Sequence, residues 1–364
     1  MRKLLIVTHI DFWRTGAGHS ARLSSLVSYF KEKLAITVVF IGKFSDHDQA
    51  TLTLRYPDIS VHVLENRRVL TYKESRVLFE EYIKEKTFDV ALIEYIELSF
   101  VLPSLSEHCI TLLDTHDLVN DRVESFRRNN VPYDGIELTA EEEFDIFKCF
   151  DYVIAIQKSD YAKIVGKLPP SRTLLAPHPV NFSKKRLRQS VCNLAFIASG
   201  YQPNVDALTW FLHEVWPSLY EEYGVSFEVY GRLREKLNQH ILTNSPGVHF
   251  HGFAADLGDV YEKCDLIVNP VRFGAGLKIK NVEAIGNGLP LVTTSHGAVG
   301  MEDAANTSFL VAETALDFKA AIGKLIKDFE FRTQIGDNAY RYAERFFSHD
   351  RCYRPLADIM LGVD

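Results

Sequence analysis

The chain has no apolar run of the length that a membrane-spanning helix requires. Its 364 residues are 46% hydrophobic and 24% charged, as in ordinary globular proteins, whereas a spanning helix needs about 20 consecutive apolar residues. The start of the chain, Met1 to His9, contains only a short apolar run with no small-residue cleavage site. We therefore expect a first strand there rather than a signal peptide, and no membrane-spanning segment.

Paired cysteines and several familiar catalytic motifs are also missing. The 5 cysteines are scattered, with no C-x-x-C pair and no zinc-ligand spacing, which favours free thiols in a reducing cytoplasm. The sequence has no G-x-S-x-G nucleophile elbow, no H-E-x-x-H zinc motif and no P-loop. It therefore lacks the signatures of the α/β-hydrolases, the zinc peptidases and the P-loop nucleotidases.

The chain carries no excess of positive charge. Its net charge of −7 argues against nucleic acid as a partner. Basic residues nevertheless cluster in a run from Lys184 to Arg188 and in the pairs Arg67-Arg68 and Arg127-Arg128. We interpret these clusters as solvated surface. The alternative is peripheral contact with an anionic inner membrane or with a phosphate-bearing acceptor.

What the chain does contain is a regular alternation of strands and helices. The strands are almost continuously apolar, which predicts parallel sheets, and apolar spacing predicts helices over 20–31 and 207–220, for example. A polar, basic segment interrupts the alternation halfway along the chain. The chain length is also typical of two domains, so we expect a domain boundary at this segment. We predict an α/β protein of two doubly wound, Rossmann-like, parallel-sheet domains facing across a cleft. The predicted boundaries are 1–180 for the first domain, 181–190 for the linker, 191–345 for the second domain, and 346–364 for a C-terminal helix that returns toward the first domain.

The most informative stretch contains a glycine loop that follows an apolar strand, the helix that begins after the loop, and a second apolar strand. It extends from Asn269 to Gly300 and reads N-P-V-R-F-G-A-G-L-K-I-K-N-V-E-A-I-G-N-G-L-P-L-V-T-T-S-H-G-A-V-G. We expect the loop to open a helix that carries Lys278 and Lys280. Backbone N–H groups at such a helix start approach anions closely, and the lysines add full positive charge. The stretch therefore predicts a phosphate or diphosphate site.

Polar residues follow two strands of the first half. The loop from Arg14 to Gly18 comes after the first strand, and its glycines could cradle phosphate or let a sugar approach the backbone; the alternative is a flexible turn. Another strand ends in Asp114-Thr-His116-Asp117, where a histidine and carboxylates are well placed for chemistry; the alternative is a capping aspartate and a satisfied histidine. The triplet Asp46-His-Asp48 matches a metal pattern, but we interpret it as an exposed polar loop.

Two further motifs follow strands of the second half. Pro203 suits a helix start and Asn204 a helix cap, at a helix N-terminus that we expect to point into the cleft. Arg232 follows a strand directly after a glycine, where a guanidinium suits bidentate contact with phosphate; an ordinary surface arginine is the alternative.

Taken in order, the second-half motifs resemble those of GT-B-fold retaining glycosyltransferases of group 1, also called glycosyltransferase family 4. They are A-S-G-Y-Q-P-N-V-D-A from Ala198, V-Y-G-R ending at Arg232, H-G-F-A-A-D from His251, and the glycine loop through Ala284. The motifs of the first half match less specifically. The resemblance covers most of the chain and is strongest from about residue 194 onward.

The resemblance implies a role for each site residue. Glu283 would hold the ribose hydroxyls of a nucleotide-sugar donor, Lys278 its diphosphate, and His116 would face the transferred sugar; these three are the predicted catalytic residues. Arg14 and Asp117 would lie on the acceptor side. No metal or other cofactor is implied, because cationic side chains and helix dipoles stabilise the leaving diphosphate. The remaining implied donor-binding residues are Gly16, Gly18, Arg232, Gly252, Phe253, Phe273, Gly274, Ala275, Gly276, Leu277 and Lys280.

One position departs from the family pattern. Most relatives carry two glutamates with seven residues between them, and counting back from Glu283 places the first at Ala275, or at Phe273 if two residues are inserted. Neither residue is acidic. The first glutamate normally contacts the donor sugar, so the sequence does not predict which sugar is transferred.

The resemblance implies an enzyme that transfers a sugar, with retention, from a nucleotide-diphosphate sugar to a hydroxyl acceptor. The acceptor would be a saccharide or a lipid-linked or protein-linked molecule, in bacterial surface polysaccharide or glycoconjugate assembly. A lipid-linked acceptor would account for the basic clusters. Two alternatives stay open: a nucleotide-sugar epimerase of similar shape, and a non-catalytic nucleotide-sugar-binding relative.

Overall fold

The computed structural model of the protein describes residues 1–14, 16–64, 71–254 and 256–362. The chain divides into two compact units. Unit 1 comprises Met1–Arg14, His19–Pro177 and Cys352–Asp364, and unit 2 comprises Thr15–Gly18 and His178–Arg351. The basic pair Arg67-Arg68 lies outside the described residues.

Unit 1 is built on a parallel sheet, in which seven strands are described in the order β3-β2-β1-β4-β5-β6-β7. Strands β1 and β4 to β6 are almost entirely buried, as their apolar sequences require, whereas the edge strands β3 and β7 are partly exposed. The order reverses between β1 and β4, and in such sheets ligands bind beside this switch point, at the carboxyl ends of the strands. The strands are β1 Lys3–Thr8, β2 Ala35–Ile41, β3 Ser60–Leu64, β4 Val90–Glu94, β5 Ile110–Asp114, β6 Tyr152–Ala155 and β7 Thr173–Leu175.

Helices cover both faces of this sheet, as the alternating chain predicts. Three of them begin with a capping box, in which a Ser or Thr and an acidic residue three positions later satisfy each other's backbone N–H groups. A 3₁₀ segment, Ile96–Ser104, follows β4. The helices are α1 Gly18–Phe30, α2 Asp46–Arg55, α3 Tyr72–Ile83, α4 Val119–Arg128, α5 Ala140–Phe147 and α6 Lys158–Val165.

Unit 2 repeats the plan with six described parallel strands in the order β10-β9-β8-β11-β12-β13. Its switch point lies between β8 and β11, and the glycine loop begins where β11 ends. The strands are β8 Asn193–Ile197, β9 Ser226–Tyr230, β10 Val248–Gly252, β11 Leu266–Asn269, β12 Leu291–Thr293 and β13 Leu310–Val311. The helices are α7 Gln202–Trp210, α8 Trp216–Tyr223, α9 Gln239–Thr243, α10 Leu257–Lys263, α11 Ile279–Gly286, α12 Ala315–Lys327 and α13 Phe329–Phe346.

The last helix, α14 His349–Leu361, packs into unit 1 from Cys352 onward. Its buried residues recur at helical spacing and include Tyr353, whose hydroxyl donates to the carbonyl of Arg22 at 3.4 Å. The Arg2 guanidinium donates to the carbonyl of Ile359 at 3.1 Å. Hydrophobic burial and these two bonds hold the helix against the start of the chain.

The basic run from Lys184 to Arg188 is bonded to unit 2. The Lys184 ammonium lies 2.8 Å from a carboxylate oxygen of Asp337, and Lys185 and Arg188 both pair with Asp265. Three of the four basic residues in the run are thus paired with carboxylates. Within the described ranges, no helix is both long enough and apolar enough to cross a membrane.

Candidate functional site

A buried polar cluster fixes both ends of the glycine loop. Asn281, in the first turn of α11, accepts a hydrogen bond from the Asn269 amide at 2.7 Å and donates its own amide to the Gly297 carbonyl at 2.8 Å. The Thr293 hydroxyl donates to the Asn269 carbonyl at 2.8 Å. Because these side chains are fully buried, their bonds tie the ends of β11 and β12 to the helix start.

The loop between these anchors depends on two glycines. Gly274 has φ +113° and Gly276 has φ +72°, conformations that side-chain-bearing residues rarely adopt. The side chains of Phe273 and Leu277 are buried, with relative exposures of 2% and 7%. These two side chains therefore anchor the loop and do not face a ligand. Ala275 lies at the turn between the glycines and is half-buried.

Two lysines lie at the start of α11. Lys278 is the residue before the first helical turn, and its ammonium donates to the carbonyls of Ala275 at 3.1 Å and Gly276 at 2.8 Å. The Lys280 ammonium donates to the side-chain oxygen of Asn204 at 2.7 Å. Burial, and then the neighbouring Lys278 charge, lower the pKa of Lys280 to about 7. The loop thus carries positive charge that an anion would stabilise.

Glu283 lies one turn further along α11. Its carboxylate accepts a hydrogen bond from the Tyr261 hydroxyl at 2.7 Å. Burial raises the pKa of Glu283 to about 7, and the Tyr261 bond opposes that rise. The sequence did not predict a role for Tyr261 at the site, because only the fold brings α10 beside α11.

Other residues of the predicted donor site lie at the ends of β9 and β10. Arg232 is exposed, and its guanidinium makes no hydrogen bond or ion pair with the described part of the chain. Gly231 before it has φ +112°, and a Cβ there would lie 1.7 Å from the Ala198 carbonyl oxygen, so only glycine fits. Gly252 has φ +66°, and Phe253 after it is 49% exposed. Gly16, also assigned to the donor, has φ +103°.

In unit 1, His116 belongs to a strained and buried cluster. His116 and Tyr95 both have positive φ, +58° and +71°, which is uncommon for residues other than glycine. Their rings stack with centroids 4.1 Å apart. A nitrogen of His116, Nε2, lies 2.6 Å from a carboxylate oxygen of Glu94. Burial, and then the charge of Asp114, raise the pKa of Glu94.

The same cluster contains a buried ion pair. Arg22 Nε donates to Asp114 at 2.7 Å, and both side chains are fully buried. Glu94, Asp114 and His116 present ligand-type atoms within 4.8 Å of one another. Arg22 bonds Asp114 and His116 bonds Glu94, so each carboxylate of this group already has a protein side chain as partner.

The two predicted acceptor-side residues have separate partners. Arg14 makes a bidentate contact with Asp48, at 2.7 and 2.8 Å, and Asp117 pairs with Arg122 at 3.3 Å. The interpretation of Asp46 to Asp48 as an exposed loop is wrong, because the three residues form the first turn of α2 and Asp48 is buried. That residue closes the capping box of α2 and is 1% exposed, because its carboxylate also accepts from the Trp13 indole.

Residues 192–328 match the family model described as glycosyl transferases group 1. The match extends from β8 into the region after α12 and includes the whole glycine loop. These residues are a group 1 glycosyltransferase domain. The predicted family is therefore confirmed, and the loop, the two lysines, Tyr261 and Glu283 all lie within the domain.

Several solved structures have the same fold as the whole chain. HepE of Anabaena, in complex with UDP and glucose, is 15% identical, has a TM-score of 0.71 and matches 100% of both chains. TarM is 10% identical, with a TM-score of 0.77 over 99% of each chain. WaaG, described as a glycosyltransferase involved in lipopolysaccharide biosynthesis, is 16% identical, with a TM-score of 0.69 over 99% of this chain and 100% of its own. The prediction of two Rossmann-like domains of the GT-B class is confirmed.

One sequence relative is an uncharacterized 44.6 kDa protein in the cps region of Klebsiella pneumoniae. It is 22% identical over 248 residues, which are 66% of this chain and 63% of the relative. The match therefore spans less than two thirds of the length of that protein.

Proposed function

We propose that the protein is a glycosyltransferase that transfers a sugar from a nucleotide-diphosphate sugar to a hydroxyl acceptor. The observation that carries the proposal is the glycine loop at the start of α11, with Lys278 and Lys280 beside it, inside a group 1 glycosyltransferase domain. A helix N-terminus and two ammonium groups suit the stabilisation of a leaving diphosphate.

The lysines have complementary tasks in this proposal. Lys278 exchanges its bonds to the Ala275 and Gly276 carbonyls for bonds to phosphate oxygens. Lys280 gains a proton as the anion arrives, since a nearby negative charge favours its charged form. Arg232, exposed and unpaired in the described structure, adds a further phosphate contact. These cations stabilise the charge that develops on the diphosphate, so the reaction as proposed requires no divalent metal.

The nucleoside end of the donor would bind next to the loop. A carboxylate with both oxygens available accepts hydrogen bonds from two adjacent hydroxyls, and Glu283 is the acidic residue of α11. We assign it to the ribose. Phe253 offers an exposed aromatic face to the nucleobase.

We further propose that transfer proceeds with retention. The bond between the anomeric carbon and the phosphate oxygen breaks, the acceptor oxygen bonds the same face of that carbon, and the acceptor proton passes to the released diphosphate. Neither Ala275 nor Phe273 can serve as a carboxylate nucleophile, so the transition state would be oxocarbenium-like and stabilised by the leaving-group contacts. In this proposal His116 faces the transferred sugar, and Arg14 and Asp117 lie toward the acceptor.

Surface polysaccharide assembly is the setting that we propose. Two comparisons support it: the relative in a Klebsiella pneumoniae cps region and the structural likeness to the lipopolysaccharide enzyme WaaG. The acceptor would be a saccharide, free or linked to a lipid or protein, and the reaction would take place in the cytoplasm or at the inner membrane. The carboxylates paired with the basic run leave little of its charge for anionic lipid.

The test is incubation of the purified protein with a panel of nucleotide sugars and saccharide acceptors, followed by NMR. Release of nucleoside diphosphate together with a glycoside of unchanged anomeric configuration is the expected result. An altered donor sugar without release would indicate the epimerase, and binding without turnover the non-catalytic relative.

A matched pair of variants tests the loop itself. Lys278→Ala should weaken donor affinity and turnover, because it removes a diphosphate contact. Lys263→Ala, at an exposed position on α10, should change neither. Equal activity of the two variants would refute the role assigned to Lys278.

A further inference from the structure

Tyr261 connects α10 to the proposed donor site. Its side chain is 3% exposed, and its hydroxyl reaches across to α11 and donates to Glu283 Oε2 at 2.7 Å. The helix that carries it is fixed at its start, where the Asp256 carboxylate accepts from the backbone N–H of Gly258 at 2.7 Å. The hydroxyl is therefore presented from a defined position rather than from a mobile surface side chain.

Glu283 has few other groups to orient it. Among the described residues, its carboxylate makes no ion pair, and Tyr261 is its hydrogen-bond donor. Glu283 is only half-buried, and Oε1 is not among the buried oxygens that lack a partner. The Tyr261 bond thus occupies one lone pair of Oε2, and the other lone pair of Oε2 and both of Oε1 have no hydrogen-bond donor among the described residues.

The charge state of Glu283 depends on the same bond. A carboxylate that must accept two hydroxyl hydrogen bonds has to be ionised, since its protonated form donates from one oxygen. Two influences set the pKa of Glu283: burial raises it to about 7, and the Tyr261 hydroxyl lowers it. No charged side chain from α10, α11 or any other described element contributes. The nearest ammonium on α11, that of Lys280, is directed to Asn204.

We propose that Tyr261 is a positioning residue of the donor site, which orients the Glu283 carboxylate and keeps it ionised to receive a vicinal diol of the ligand. The inference rests on the proposed function, in which that diol is the ribose of the nucleotide. It adds a residue outside the glycine loop to the recognition of the donor. It also gives the site a pH dependence that the hydroxyl controls.

Tyr261→Phe tests the inference, because it removes one oxygen and keeps the ring. The measurement is the affinity for a nucleoside diphosphate, by calorimetry, from pH 6 to pH 9. Loss of the bond should raise the pKa of Glu283, so binding should weaken about fivefold at pH 7 and recover to within about twofold at pH 9, where the carboxyl is ionised in both proteins. Discrimination against the 2′-deoxy nucleotide at pH 7 should fall by a similar factor.

Two further variants separate this role from a structural one. Tyr342→Phe is the matched control, since the Tyr342 hydroxyl also donates to a carboxylate, that of Asp303, at 2.6 Å. It should leave the pH profile unchanged. In Glu283→Gln the side chain cannot ionise, so adding Tyr261→Phe to it should cause no further shift.

Each outcome decides between clear alternatives. If the wild-type protein binds no nucleotide, the proposed function fails and the inference fails with it. If nucleotide binds and Tyr261→Phe keeps the wild-type profile, the inference is overturned while the function stands. If Tyr261→Phe does not fold, Tyr261→3-fluorotyrosine keeps the shape of the side chain and makes its hydroxyl a stronger hydrogen-bond donor. The midpoint of the pH dependence of nucleotide binding should then move to lower pH, and an unchanged midpoint would equally overturn the inference.

Discussion

Binding of the donor should change the protonation of the site in a direction that reverses near neutral pH. Lys280 has its pKa lowered to about 7, and a diphosphate would restore its charged form. At pH 8 about nine tenths of these lysines are neutral before binding, so the site should take up close to one proton. Glu283, with its pKa raised to about 7, must be ionised to accept the ribose, so at pH 6 the site should release close to one proton.

The assay is titration calorimetry in buffers of different ionisation enthalpy, with an intact nucleotide sugar as ligand. An intact nucleotide sugar has no phosphate group that titrates near neutrality, so the measured protons belong to the protein. The net uptake should be about +0.8 proton at pH 8 and about −0.8 at pH 6, and should cross zero near pH 7. Lys280→Met should abolish the uptake at pH 8 and keep the release at pH 6.

The control is Lys263→Met, which should reproduce the wild-type protonation at both pH values because the Lys263 side chain is exposed on α10. Absence of proton uptake at pH 8 in the wild-type protein would refute the reasoning about Lys280. The same conclusion would follow if Lys280→Met bound the donor with unchanged protonation.

Three substitutions, with Gly224→Ala as a control for the first, should change the free energy of unfolding, measured by denaturant unfolding, and calorimetry measures the effect on donor binding. Gly231→Ala should prevent stable folding, since its Cβ would overlap the Ala198 carbonyl, whereas Gly224→Ala, with nothing within 4 Å, should cost only about 1 kcal/mol. Asn281→Ala should cost about 2–4 kcal/mol and weaken donor binding, because buried loop anchors lose their partners. Arg22→Met should cost about 3–5 kcal/mol, because Asp114 stays buried without its cation.

The parts of the fold that local pattern determines were predictable from the sequence. Apolar strands between polar turns predicted both parallel sheets, and the glycines with following lysines predicted the loop that opens α11. The helix expected over 207–220 is different in detail: the chain forms α7 from Gln202, passes through a π-helical turn at Phe211–Val215, and continues as α8. Pro217 lacks a backbone N–H, so the regular bond pattern cannot pass through it unchanged. Apolar spacing does not reveal that change of register.

The partners of the site residues were not predictable in the same way. Lys280 meets Asn204, 76 positions earlier, and Arg22 meets Asp114, 92 positions later. Asn204, predicted as a helix cap, instead bonds the lysine and the Ser199 carbonyl. Such pairs depend on which strand ends the topology brings together, and no spacing along the chain encodes them. Glu94 did carry a signal, since it ends a buried strand as Asp114 does.

The backbone N–H of Val180 donates to the carbonyl of Phe347 at 2.9 Å. These residues lie within a few positions of where the chain enters unit 2, after Pro177, and leaves it, before Cys352. The larger part of unit 2 is therefore an insert whose two ends adjoin, an arrangement that favours domain insertion and circular permutation. This part of unit 2 could be removed and the flanking chain rejoined by a short linker, or it could be exchanged for the corresponding unit of a relative, without new chain ends in its core. Under the proposed function, a change of sugar donor during evolution could then occur by replacement of one continuous gene segment.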